Sequence, residues 1–345
     1  MDTKSQNRCK LIPDLITPKP GLINPGRLIT ILAILAVVSL TFACGESESE
    51  TDSVDGSDPI SVVTTTGLLA DLVRNVGGDL VAVESLVPLG ADAHSFQSTP
   101  ENSVAISKAD VVVSNGGGLD QFLDSVIDGA LSKDAVHIIA AAALVASEEG
   151  ETPTEDADHE GEDTDHEGQD ADHHAGEGDP HFWQNPLYTV EYTETIMEGL
   201  IQADPENQAS YRSNFDSYKE QLIKLDFDIA STLNVVDEDK RKLVTFHDAF
   251  GHFAERYGWE AVSFVASDAS QVTPNAIADV LERVREEGIP AVFAEPQFSS
   301  ELLDNAATVS GAEIGIIYPD LPGGGVDSYI NMMLFNAKSL ARLLE

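Results

Sequence analysis

Cysteine is almost absent from this sequence of 345 residues. It has two cysteines, Cys9 and Cys44, and both precede Ile60, where the first predicted strand begins. The part of the chain that is expected to fold therefore contains no disulfide bond and no thiolate metal site. Any metal ion that this part binds must be held by nitrogen and oxygen atoms.

Positive charge is also scarce. The chain has 19 lysine and arginine residues against 60 aspartate and glutamate residues, which gives a formal net charge of −41. This balance disfavours nucleic acids and anionic membrane surfaces as partners and favours cations. The acidic residues are unevenly distributed along the chain. Six carboxylates lie between Gly45 and Asp58, and fifteen lie between Glu148 and Asp179.

A long apolar run of 16 residues, Leu28–Ala43, precedes this acidic chain. The run is near the lower limit for a membrane span and close to the length of the apolar region of a signal peptide. With the sequence LTFAC it resembles a bacterial lipoprotein signal that is cleaved before Cys44 and lipidated on the cysteine sulfur. We therefore interpret 1–44 as a lipoprotein-type signal, with an uncleaved signal anchor or plain secretion as alternatives. All of these interpretations place the domain outside the cytoplasm. The protein would be anchored to the cell membrane by the lipid on Cys44, or be periplasmic or secreted. The basic residues of the signal are Lys4, Arg8, Lys10, Lys19 and Arg27.

Predicted strands and helices alternate on both sides of a long helical segment. Residues 45–58 form an acidic tether that cannot bury a core. Residues 59–204 and 237–345 each alternate strands with helices, which predicts parallel sheets. The segment 205–236 between them would span about 45 Å as a helix. We therefore predict an α/β fold of two parallel-sheet βα lobes, joined by one long rigid helix and separated by a cleft. The apolar residues at helical spacing in the long segment are Tyr211, Phe215, Tyr218, Leu222, Leu225 and Ile229.

Four polar residues stand where such lobes would present them to the cleft. His94 follows the second predicted strand, and His181 lies near the end of the first lobe. His247 and Asp320 each follow a predicted strand of the second lobe. Ligands of open parallel sheets bind beyond the carboxyl ends of the strands, so these side chains are expected to meet between the lobes. Three imidazoles and one carboxylate suit tetrahedral Zn²⁺, whereas Mn²⁺ usually prefers more oxygen ligands.

Each residue alone also has a plainer interpretation. A single histidine at a strand end is more often a structural hydrogen-bonding group, and we assign His137 and His252 to that role. Asp320 is equally suited to a turn, since proline and three glycines follow. Glu295 comes after a strand as well, and is either an acceptor for a ligating imidazole or an alternative oxygen ligand ranked behind Asp320.

Five segments in order resemble the metal-binding lipoproteins of bacterial ABC importers, the zinc/manganese cluster of solute-binding proteins. The resemblance covers 60–345 and implies His94, His181, His247 and Asp320 as ligands, with water or a glutamate as alternatives for the fourth. Zinc members carry histidine at the third position, where many manganese members carry glutamate. The resemblance also implies an ABC permease and its ATPase as partners. The segments are GADAHSFQSTP, DPHFWQNP, FHDAFGHFAERYG, AEPQFSS and YPDLPGG.

The segment 148–178 contains histidines spaced by seven residues among many carboxylates, and we expect it to be a disordered loop. Many weak sites of this kind would raise the local metal concentration. The resemblance implies the same use, because many zinc members carry a loop rich in histidine and acid beside the site. The alternative is a solvated acidic linker without a metal-binding role. The histidines of this tract are His159, His166, His173 and His174.

These patterns predict a binding protein, not an enzyme, that captures Zn²⁺ or, as a less favoured choice, Mn²⁺. We expect it to act as a monomer, to deliver the ion to a membrane permease, and to bind no nucleic acid. One alternative is a zinc hydrolase with three histidine ligands and with Asp248 or Glu295 as general base. A manganese-specific binding protein and a surface adhesin are the others.

Overall fold

The computed structural model describes residues 58–150, 178–265, 280, 282–298, 308 and 311–345. The signal 1–44 with Cys44, nearly all of the tether and the tract histidines His159, His166, His173 and His174 lie outside the described residues. In the part that is described, no helix is long and apolar enough to span a membrane.

Among the described residues, eight parallel strands form two sheets of four, as the α/β prediction requires. The strand orders are β2-β1-β3-β4 and β6-β5-β7-β8, so the two sheets share one topology. In each sheet the chain moves outward on one side of the first strand and then returns to its other side, which creates a switch point at the carboxyl ends of the two central strands. The strands are β1 Ile60–Thr64, β2 Val81–Ser85, β3 Val111–Ser114, β4 Val136–Ile139, β5 Lys242–His247, β6 Glu260–Val265, β7 Ala291–Ala294 and β8 Glu313–Ile316.

Helices connect these strands and cover the sheets. Helix α4 was not expected, although its alanine-rich sequence favours a helix, and it ends two residues beyond the expected start of the acidic tract at Glu148. Residues 280 and 282–286 are also helical. The labelled helices are α1 Gly67–Gly77, α2 Pro100–Lys108, α3 Gln121–Ala130, α4 Ala142–Gly150, α5 Pro186–Ala203, α6 Gln208–Leu233, α7 Gly251–Tyr257 and α8 Tyr329–Leu344.

The long helix predicted between the lobes is confirmed as α6, with 26 residues and a length of about 39 Å. It is shorter than the predicted segment 205–236. Pro205–Asn207 form a separate 3-10 turn before it, and Asn234 caps its end. All six apolar residues that define the predicted helical face are buried: Tyr211, Phe215, Tyr218, Leu222, Leu225 and Ile229.

One apolar core runs through both lobes. Successive strand residues point to opposite faces of a sheet. Val62 of β1 and Phe293 of β7 therefore belong to the shared inner core, which also contains the buried face of α6. Their neighbours Val63 and Val292 face two separate outer cores, one for each lobe. The helices between the sheets thus hold the two lobes against one common interior.

Candidate metal centre

Three histidines from distant parts of the sequence converge at one point between the lobes. His94, His181 and His247 each offer a ring nitrogen, and these three atoms all lie within 4.8 Å of one another. Nε2 of His94 lies 3.1 Å from Nε2 of His181. The ring centroids are separated by 5.2 to 5.7 Å. Three of the four ligands expected from the sequence are therefore brought together.

His181 is held by a carboxylate two residues before it. Oδ1 of Asp179 accepts the backbone N–H of His181 at 2.9 Å and its ring Nδ1–H at 2.7 Å. Because Nδ1 carries the proton of the neutral ring, Nε2 keeps a lone pair for a cation. Burial alone raises the pKa of Asp179, but the hydrogen bonds and charge of His181, with the charge of His252, lower that pKa to about 2.

His247 is held by a carboxylate from the neighbouring strand. It is the last residue of β5, and Glu295 follows β7, the strand beside it. Oε2 of Glu295 accepts Nδ1–H of His247 at 2.5 Å, and Oε1 accepts the backbone N–H groups of Phe246 and His247 at 2.9 and 3.1 Å. Burial lowers the pKa of His247, but the charge of Glu295 and this hydrogen bond outweigh burial and leave the pKa above its ordinary value.

His94 lies in the loop after β2, where its backbone is fixed in the same way as that of His181. Oδ1 of Asp92 accepts the backbone N–H of His94 at 3.0 Å. An aspartate two residues before the histidine thus makes a side-chain turn in both first-lobe loops. Of the three rings, His94 is half-buried, while His181 and His247 are only 3% and 2% exposed.

Aromatic side chains surround the two buried imidazoles. The Trp183 ring lies 5.2 Å from that of His181, and the Phe298 ring lies 5.1 Å from that of His247, both edge to face. Such walls exclude water, which strengthens the attraction between the lone pairs and a cation. They also keep each ring in one orientation.

The nitrogen arrangement fits a metal ion. Since the Nδ1 proton of His181 is donated to Asp179, a hydrogen bond between the two facing Nε2 atoms requires His94 as donor. A cation between them accepts both lone pairs instead. Bonds of about 2.0–2.1 Å to a tetrahedral Zn²⁺ place neighbouring ligand nitrogens about 3.3 Å apart. The observed 3.1 Å between His94 and His181 is close to that separation.

Asp320, the fourth expected ligand, is not part of this cluster. It lies four residues after β8, where one oxygen accepts the backbone N–H of Leu321 at 2.6 Å. Burial raises its pKa to about 6 against the opposing backbone hydrogen bonds of Leu321 and Leu68. The next residue back, Pro319, contacts the His181 loop directly, because its carbonyl accepts the side-chain N–H groups of Trp183 and Gln184 at 2.7 and 2.9 Å.

Two further residues contact His181 or its loop, and only one of them had a role assigned from the sequence. Asp179 had none, although the D-x-H spacing that it shares with Asp92 and His94 is visible in the printed chain. His252 was assigned to structural hydrogen bonding, and its Nε2 donates to the backbone carbonyl of Asp179 at 2.9 Å. His137 bonds Ser114 at 2.9 Å and lines a surface cleft away from the three histidines.

Comparison with known proteins decides the family. The family model of ZnuA, described as zinc-uptake complex component A, periplasmic, matches residues 62–343. The chain belongs to this family. A manganese-binding lipoprotein, MntA of Halalkalibacterium halodurans, is 28% identical over 88% of this chain and 94% of the relative. The iron-binding protein YfeA of Yersinia pestis is 27% identical over 93% and 96%. The solved structure of the periplasmic zinc-binding protein TroA of Treponema pallidum superposes with a TM-score of 0.72 at 22% identity, covering 83% and 99%.

Membership makes this protein an extracytoplasmic metal-binding component and not an enzyme. The hydrolase alternative was therefore wrong, and Glu295, one of the two bases considered for it, has a different role. Both oxygens of Glu295 are bound to His247 or to backbone N–H groups, on the side of the imidazole away from Nε2. That carboxylate is thus occupied in orienting His247. The names of the relatives include manganese, iron and zinc, so membership by itself does not fix the metal.

Proposed function

We propose that this protein captures Zn²⁺ outside the cytoplasm and delivers it, as a monomer, to an ABC permease driven by its ATPase. The observation that carries the proposal is the convergence of three imidazole nitrogens within 4.8 Å. Imidazole ligands suit Zn²⁺, whereas Mn²⁺ prefers oxygen ligands, and Mn²⁺ is the weakest binder of the first-row divalent series at a given site. Manganese is the alternative cargo, and the name of MntA supports it.

Titration calorimetry with competing chelators tests the choice of metal. We expect one tight Zn²⁺ equivalent, bound at least 10-fold more tightly than Mn²⁺. His181→Ala should weaken Zn²⁺ binding by more than about 100-fold, since it removes a ligand together with the ring N–H that Asp179 accepts. His137→Ala is the matched control, because His137 lies away from the cluster. Equal or tighter Mn²⁺ binding by the wild type would replace zinc with manganese in this proposal.

We further propose Asp320 as the fourth ligand. Its carboxylate would exchange the backbone N–H of Leu321 for the ion, and a bound cation would keep it deprotonated despite its raised pKa. Asp320→Asn should lower Zn²⁺ affinity by about 10-fold. The X-ray absorption spectrum of the Zn²⁺-loaded variant should differ from that of the wild type, because the Asp320 carboxylate oxygen no longer binds the ion. An unchanged affinity and spectrum would assign the fourth position to water.

The remaining parts of the proposal concern the segments outside the described residues. Cys44 would carry the lipid anchor, and Cys44→Ser should move the protein from the membrane fraction to the soluble fraction. The histidines of the acidic tract would hold further metal weakly and raise its concentration near the site. Metal analysis should then show more Zn²⁺ than the single tight equivalent, and brief dialysis should remove this excess.

A further inference from the structure

His252 of the second lobe contacts the loop that carries His181 of the first. It is the second residue of α7, and its Nε2 lies 2.9 Å from the backbone carbonyl oxygen of Asp179. A carbonyl only accepts, so the imidazole is the donor. The same nitrogen is 3.9 Å from Oδ2 of Asp179. The carboxylate that fixes the His181 ring is therefore itself contacted from the other lobe.

The ring of His252 is fixed by stacking on the same loop. It lies parallel to Phe182, the residue after His181, with centroids 4.5 Å apart and an interplanar angle of 21°. Tyr188 packs against it edge to face at 5.6 Å. His252 is only 6% exposed. Its contacts thus include Asp179, two residues before the ligand His181, and Phe182, the residue after it.

The residue before His252 shows how closely the lobes approach here. A Cβ atom on Gly251 would lie 2.7 Å from Oδ2 of Asp179, closer than such contacts occur. Glycine at the start of α7 therefore permits the helix to reach the carboxylate. The clash concerns the carboxylate oxygen that does not bind His181, since Oδ1 makes both of those hydrogen bonds.

We propose that His252 is a positioning residue for metal binding. By donating to the Asp179 carbonyl and stacking on Phe182, it holds the Asp179 carboxylate where Oδ1 receives Nδ1–H of His181, so that Nε2 of His181 faces the ion. This inference rests on the proposed metal-binding function. It means that one lobe supplies the ligand and the other lobe holds it in place.

The test compares two substitutions of His252. His252→Phe keeps a flat ring on Phe182 and removes the N–H donor. His252→Gln loses the ring and keeps an N–H donor of similar reach. We expect His252→Phe to weaken Zn²⁺ binding by about 10-fold and His252→Gln to restore it to within about 3-fold of wild type. The visible absorption of the Co²⁺-loaded protein should change in the first variant and not in the second. His137→Phe is the control, because it makes the same replacement at a histidine of the first lobe that lies away from the cluster.

A double-mutant cycle with Asp179→Ala, which removes the carboxylate that holds the His181 ring, identifies the route of the effect. If His252 acts through Asp179, the two losses of affinity are less than additive. Additive losses, or equal losses in His252→Phe and His252→Gln that follow their losses of thermal stability, would overturn the inference. Failure of the wild type to bind any metal tightly would instead overturn the proposed function.

Gly251→Ala provides a variant that is not expected to unfold the protein. Alanine favours a helix more than glycine does, which offsets the small shift that the Asp179 side chain must make, so thermal stability should stay close to that of wild type. The positioning role predicts the same stability together with an affinity lowered about 10-fold, because the new methyl group displaces the Asp179 carboxylate. Unchanged Zn²⁺ affinity in this variant would also overturn the inference.

Discussion

His181 of the first lobe and His247 of the second both donate Nδ1–H to a carboxylate, yet the two carboxylates come from different levels of structure. Asp179 lies two residues from its histidine in the same loop, and one of its oxygens makes both hydrogen bonds. Glu295 lies 48 residues away, directly after a neighbouring strand. One of its oxygens accepts the ring N–H of His247, and the other accepts two backbone N–H groups.

The difference shows which half of the site is rigid on its own. The second-lobe ligand ends a central strand and is fixed by the sheet, with a carboxylate that is fully buried. The first-lobe ligands lie in loops, and the side chain of Asp179 is 27% exposed. The first lobe therefore depends on short local turns and on contacts from the other lobe, whereas the second lobe is ordered by strand pairing.

The largest effect is expected when the pair formed by His247 and Glu295 in the second lobe is broken. In Glu295→Gln the amide oxygen can keep the backbone N–H groups of Phe246 and His247, which turns the NH₂ group toward Nδ1. The ring proton must then move to Nε2, where the ion should bind. We expect Zn²⁺ affinity to fall by about 100-fold in a competition titration. Glu313→Gln on the exposed face of β8 is the control, and equal affinities in the two variants would contradict the role of Glu295.

A smaller effect is expected from the equivalent change in the first lobe. In Asp179→Asn the amide oxygen can take the place of Oδ1 and keep both hydrogen bonds to His181. Only the negative charge is lost, so affinity should fall by about 10-fold. Asp79→Asn, at an exposed position, is the control. A loss as large as that in Glu295→Gln would show that local and tertiary carboxylates hold their ligands equally.

The pH dependence separates metal binding from stability at His247. Its pKa is raised, so the metal-free protein keeps this proton at pH values where an ordinary histidine of pKa 6.5 is neutral. As the pH is lowered, Zn²⁺ affinity should therefore begin to fall while the pH is still above 6.5, because the ion competes with this proton. The same group stabilises the metal-free fold fully below pH 6.5, and this contribution is lost as the pH rises through the raised pKa. Titrations and thermal melts between pH 5.5 and 8 should thus show opposite trends, and parallel trends would argue against a raised pKa.

The smallest expected effect concerns the acidic tract next to the first-lobe ligand. Deletion of 153–176 should change the affinity of the tight site by less than about 2-fold, since its three imidazoles lie outside the deletion. Only the weakly held excess should disappear in equilibrium dialysis. A large loss at the tight site would mean that the His181 loop needs the tract to hold its position.

Much of the fold follows from local sequence. The alternation of strands and helices predicted for 59–204 and 237–345 is observed in both lobes, because short β-branched runs such as VVVS and KLVTF sit between turn residues. The long helix was identified by its apolar spacing, and Pro205 explains its later start. His94 and His247 were selected because they follow strands, and the carboxyl ends of parallel strands meet at one edge.

The supporting contacts were less accessible to sequence reasoning. The role of Glu295 depends on β5 and β7 being neighbours, which is a property of strand order and not of either segment. The contact of His252 with Asp179 depends on how the lobes meet, and nothing near either residue signals it. The Asp179–His181 pair is different, since both residues lie in one motif and a local turn joins them.

The inner core shared by both sheets has a consequence for how cargo enters and leaves. Parting the halves would expose the buried face of α6 to water, at about 25 cal/mol for each Å² of apolar surface. Loading and unloading are therefore cheaper when only the segments around His94 and His181 shift, while the sheets stay together. A transporter that extracts the ion has to displace a few side chains, and the folded body can be reused through many rounds of delivery.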